Sequence, residues 1–109
     1  MPVIRANSSI ITQVNVFDVP AGGQQALIDF LKEAAAFSRK TPGWMSASLH
    51  RSLDGTKVVN YAQSESMDAA RAVIDRLRDA GYLERNKALG TAHPGLYEVV
   101  YTLDKRRLF

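Results

Sequence analysis

A chain of 109 residues, 46% hydrophobic and 23% charged, fits one globular domain and is too apolar to stay disordered. It has no cysteine, which removes disulfides, thiolate chemistry and Cys-ligated metals and fits a cytoplasmic location. The net charge of +3 is modest, and its densest basic cluster, Lys105-Arg106-Arg107, is not the basic stripe with interleaved aromatics that a nucleic-acid partner calls for.

No apolar run approaches the roughly 20 residues of a membrane span, so no membrane partner is expected. Residues 1–9 lack the apolar centre of a signal peptide and read as a flexible lead-in. The domain proper is expected over residues 10–104, followed by a basic tail over 105–109.

The first strand is expected over about 10–19, ending at the loop signal Val19-Pro20-Ala21-Gly22-Gly23. Leu27, Phe30, Leu31, Ala34 and Phe37 then recur at the spacing of an amphipathic helix, which should end near Lys40 because Pro42 disfavours helical dihedrals at Thr41. From Trp44 the period becomes two, with Met45, Ala47 and Leu49 alternating against Ser46, Ser48 and His50. Asp54-Gly55 is a hairpin signal leading into a strand over 57–66. Ser66 can cap a second helix carrying Ala70, Val73, Ile74 and Leu77, with Gly81 closing it. A short helical or irregular connector, Tyr82 to Thr91, precedes a last strand expected over Tyr97–Leu103, after a Pro94-Gly95 turn. The resulting order, βαββαβ, is the ferredoxin-like α+β arrangement with an antiparallel sheet. Both faces of the first strand are mainly apolar, whereas two helices cover only one face of a sheet, so a homodimer is expected.

Within these strands the residues that invite a functional reading are Asn15 and Asn60. Asn is disfavoured in strands, and its amide needs partners once buried. Two of them in sheet interior suggest a pocket that uses amide dipoles. His50 and His93 show no metal-ligand spacing, and neither a phosphate-binding Gly-rich motif nor a Gly-x-Ser-x-Gly elbow is present. Metal ligation by these histidines is therefore not expected.

Thr12-Gln13-Val14-Asn15-Val16-Phe17, Thr41-Pro42-Gly43-Trp44 and Val59-Asn60-Tyr61-Ala62-Gln63 resemble the antibiotic biosynthesis monooxygenase family, and the similarity extends over about residues 10 to 104. The resemblance implies a dimeric α+β barrel whose protomers each hold a pocket between sheet and helices. It also implies oxidation of a planar aromatic, anthrone-like or quinol-like, by dioxygen without metal, flavin or haem. On that basis Asn15 and Asn60 match the catalytic amides. Phe17, Phe30 and Leu31 would build apolar walls, while Trp44, Ser64, Tyr82 and Arg85 are the further candidates for substrate contact. The family pattern has Trp where this chain has Ser64, four residues beyond Asn60 on the same strand face, which removes an aromatic wall and adds a hydroxyl. Two other readings share the scaffold: a non-catalytic small-molecule-binding or stress-related dimer, and haem degradation or isomerase chemistry. Haem degradation would need an axial His, typically in the second helix, and residues 67–80 contain none.

Overall fold

The computed structural model describes residues 2–105. The elements are β1 (Ile11–Asp18), α1 (Gln24–Ser38), β2 (Trp44–Arg51), β3 (Lys57–Ser64), α2 (Met67–Asp79), a one-turn α3 (Tyr82–Arg85) continued by a 3-10 turn (Asn86–Ala88), and β4 (Thr91–Tyr97). All strand pairs are antiparallel and the sheet order is β2-β3-β1-β4, the ferredoxin-like arrangement.

Local chemistry sets the element ends. The Ser66 hydroxyl accepts from the Ala69 N–H and caps α2, and Asp68 lies in its first turn, where the helix dipole favours a carboxylate. Gly81 follows α2 in the left-handed region at φ 86° and turns the chain into α3. The Asp54 carboxylate accepts from the Thr56 N–H and hydroxyl and from the Ser52 hydroxyl, which fixes the β2–β3 hairpin. These bonds hold the Asp54 carboxyl below its usual range, with the Thr56 hydroxyl the largest contributor.

The last strand departs from expectation. It occupies Thr91–Tyr97 rather than Tyr97–Leu103, so Pro94-Gly95 lies inside the strand instead of preceding it. β4 is an edge strand that pairs with β1 alone, and such a strand tolerates a residue that cannot donate to a second neighbour. Residues 98–104 carry the better β pattern yet have no strand beside them; Val99 C=O accepts from the Asn7 N–H, 3.0 Å away. The other expected boundaries agree to within two residues, and the starts of β2 at Trp44 and β3 at Lys57 coincide with expectation.

Phe17, Leu27, Ile28, Leu31 and Val58 form the core between α1 and the sheet. The opposite sheet face carries Val14, Val16, Val59 and Tyr61, all half-buried, with Thr12 and Gln63 fully buried beside them. The chain's own N-terminal segment reaches that face, where the Gln63 amide donates to Val3 C=O at 2.9 Å. At one end of the face the Lys57 ammonium and His93 both bond the Asp18 carboxylate and hold its pKa below the usual range, Lys57 being the larger cause.

Gly43 shows how tightly the α2 side is fitted. Its φ is 87°, its C=O accepts from the Glu65 N–H, and a Cβ built on it would stand 2.5 Å from the Ala69 Cβ. Gly43→Ala therefore combines left-handed strain with a clash against a helix. A loss of at least ~1–2 kcal/mol is expected, from the backbone strain alone, and urea denaturation of the variant checks it.

Candidate active site

Asn15 and Asn60 are directly opposed residues of the β1–β3 ladder. Side chains alternate along a strand, so an aligned antiparallel pair shares a face with Cβ atoms roughly 4.5–5.5 Å apart. That face also carries Gln13 and Phe17 on β1 and Val58 and Ala62 on β3, and it lies under α1 and α2. Both amides thus point into the space between sheet and helices.

The space has three adjoining parts. The main chamber, of about 490 Å³, lies between Gln13 and Asn15 on β1, Ile74 and Leu77 on α2, Leu83, Asn86 and Lys87 on the connector, and Gly90, Thr91, Ala92 and Pro94 leading into and along β4. Its volume falls within the ~300–1,000 Å³ typical of small-molecule sites. Deeper in, a cleft of about 40 Å³ is bounded by Phe17, Phe30, Leu31, Ala34 and Tyr82 together with Asn15, Asn60 and Asn86. A second cleft, of about 30 Å³, reaches Trp44, Ala47 and Ser38 and again includes Asn60. Gln13 and Leu77 border all three.

The two strand asparagines are prepared differently. Asn15 is buried, and its Oδ1 accepts from the His93 N–H of β4 at 3.1 Å. With the oxygen engaged, the NH2 group is what Asn15 offers to a guest. Asn60 has the opposite deficit, because its Oδ1 is buried without any hydrogen-bond partner. A buried unpaired acceptor costs about 1–3 kcal/mol and is uncommon in folded proteins. Thr12 Oγ1, on the opposite face of the sheet, is likewise buried without a partner in the protein.

Other candidates fall into two groups. Phe17, Phe30, Leu31 and Tyr82 wall the 40 Å³ cleft and Trp44 walls the 30 Å³ one. Ser64 shares the face of Asn60 but sits at the far end of β3, opposite Trp44 and Ile11, and borders none of the three spaces. Arg85 also stays outside. Its guanidinium lies 5.1 Å from the Phe30 ring centroid and 4.7 Å from that of Tyr82, so it covers the outer side of the aromatic wall. Sequence reasoning missed Gln13, Asn86, Leu77 and Leu83. Asn86 is only 6% exposed although it lies in a connector, and a buried carboxamide there carries no periodicity signal.

The lining is amide and hydrocarbon, with Lys87 and Tyr82 its only titratable members. Lys87 pairs with exposed Glu84 at 2.9 Å. Both histidines lie on the other sheet face, His93 against Asp18 and His50 against the Ser48 hydroxyl. Among the described residues no group of three His, Asp or Glu side chains is placed to hold a metal ion, and no helix is long and apolar enough to cross a membrane.

Residues 10–76 match the antibiotic biosynthesis monooxygenase family. The chain belongs to that family. It is 33% identical over 103 residues to the tetracenomycin-F1 monooxygenase of Streptomyces glaucescens, an alignment covering 94% of this chain and 92% of the relative. Among solved structures it resembles SnoaB of Streptomyces nogalater, described as a cofactor-independent oxygenase, with TM-score 0.79, 26% identity, and coverage of 90% of this chain and all of that one. A monooxygenase of Streptomyces coelicolor in complex with nanaomycin D superposes with TM-score 0.77 and 29% identity over 88% of this chain and 92% of its own.

The differing states of the two amides can be read as stability. Asn15→Ala leaves the His93 N–H without its side-chain acceptor and is expected to cost about 1–2 kcal/mol. Asn60→Ala deletes an acceptor that bonds nothing in the protein, so its unfolding free energy should stay within roughly 0.5 kcal/mol of the parent or rise. Chemical denaturation of both variants checks the contrast.

Proposed function

We propose that this protein is a cofactor-independent monooxygenase that oxidises a planar aromatic, anthrone-like or quinol-like, with dioxygen. The observation that carries the reading is the pair of facing carboxamides: Asn15, its Oδ1 held by the His93 N–H, borders the main chamber, and Asn60, its Oδ1 unpaired, borders the two small clefts that adjoin it, in a lining with almost no titratable group. Its likeness to the tetracenomycin-F1 monooxygenase and to the cofactor-independent oxygenase SnoaB supports it.

Such a lining constrains the chemistry. With no histidine or carboxylate in the walls, the substrate must carry its own acidity, and the proton leaves to water through the open side of the chamber. Donors preset toward a developing oxyanion in a water-poor site contribute about 3–4 kcal/mol each. The Asn15 NH2 is so preset, because the His93 N–H fixes the other end of its amide. The resulting enolate or phenolate is electron-rich enough to pass one electron to dioxygen. Recombination of the radical pair forms a carbon–oxygen bond, protonation gives a hydroperoxide, and loss of water leaves a new carbonyl. The atoms balance: a CH2 and one O2 become a C=O and one H2O. Asn60 Oδ1, which lacks a donor in the resting protein, can accept from the hydroperoxide O–H, so that it bonds an intermediate rather than the ground state.

The apolar sheet face opposite the chamber supports a homodimer in which two sheets pack as an α+β barrel. Light scattering of the purified protein should return twice the chain mass; a monomer at micromolar concentration contradicts the assembly.

For the reaction itself, metal-free protein is incubated with anthrone. Quinone formation is expected in air and not under argon, with chelators causing no loss. Removing one oxyanion donor typically lowers kcat about 10²–10³-fold, and Asn15→Ala is expected to fall in that range. Rates equal to the uncatalysed oxidation would overturn the assignment.

A further inference from the structure

The inner cleft of about 40 Å³ is a separate space from the main chamber, and its size and walls differ from it in kind. It is too small for an aromatic ring. Phe17, Phe30, Leu31 and Ala34 make it largely hydrocarbon, and its polar border is limited to carboxamides and the Tyr82 edge. It adjoins the chamber through shared Gln13, Asn15, Leu77, Leu83 and Asn86. We propose that this cleft is the dioxygen subsite, holding the gas behind the aromatic guest and against Asn60, while the guest occupies the main chamber against Asn15. The inference rests on the oxygenase reading above and assigns its second substrate a place.

Three features favour an apolar diatomic over a resident water. The walls are mainly hydrocarbon, from Phe17, Phe30, Leu31, Ala34, Leu77 and Leu83, and a buried water in their midst needs about three hydrogen bonds. Asn15 Oδ1 is already engaged by His93, so one of the cleft's acceptors is taken. Asn60 Oδ1, unpaired among the protein's own groups, is placed to accept from a hydroperoxide once the bound dioxygen has been reduced and protonated. The arrangement also keeps the two reactants adjoining yet separately bound. Capacity for the gas can therefore be altered without altering the chamber.

Ala34 offers the handle, since it borders both small clefts and not the chamber. Crystals of the unmodified protein pressurised with xenon should show the atom between Ala34, Phe30 and Asn60. Ala34→Val should exclude it and raise the KM for dioxygen at least fivefold, while anthraquinone, a non-reacting planar probe, binds within twofold of its original Kd. Ordered water on Asn60 that xenon fails to displace overturns the subsite, as does an unchanged oxygen dependence in Ala34→Val. The two readings fail differently. Absence of any turnover by the unmodified protein removes the oxygenase assignment and this subsite with it; turnover with no gas in the cleft removes the subsite alone.

Discussion

The register of β1 against β3 is the constraint on which the site depends. Asn15 opposes Asn60 and Phe17 opposes Val58, so one face of two adjacent strands carries both the core and the amides. A slip of one residue would send this whole set to the other side of the sheet. Burial of Phe17 and Val58, each at most 1% exposed, makes the slip costly. The same apolar contacts that stabilise the domain thereby aim its two carboxamides. Function is positioned by the core and needs no separate device.

β4 adds the second layer of control. It is held by β1 and brings the His93 N–H to Asn15 from 78 residues along the chain. A backbone donor in a paired strand has little freedom, so the amide it engages is oriented before any guest arrives. Preorganisation of this kind avoids reorientation during reaction. Asn60 receives no such support: its Oδ1 is buried without a hydrogen-bond partner among the described residues.

Much of this was legible in the residues. Periodicity located both helices, Ser66 and Gly81 marked the limits of α2, and the two Asn singled out in apolar strands turn out to face each other across the β1–β3 ladder. The last strand was misplaced because Pro94-Gly95 is a strong turn signal, whereas an edge strand accepts Pro. Ser64 was singled out because it stands where the family pattern has Trp, on the face of Asn60; alternation fixes the face a side chain occupies but not the distance along the strand to a cavity. Asn86 and Lys87 were missed for a related reason. Their place depends on how the connector folds back over the sheet, a tertiary outcome that local pattern does not encode.

The connector is secured by rings and cations rather than by a ladder. Tyr82 lies with its ring centroid 5.6 Å from that of Phe30 and 5.1 Å from that of Phe37, with Arg85 and Arg76 stacked at the two ends. Trp44, the chain's single tryptophan, is half-buried and borders the 30 Å³ cleft that also includes Asn60. The molecule consequently carries its own fluorophore at the edge of the space a small quencher would enter. Its emission reports on the interior directly, without label or chromogenic substrate.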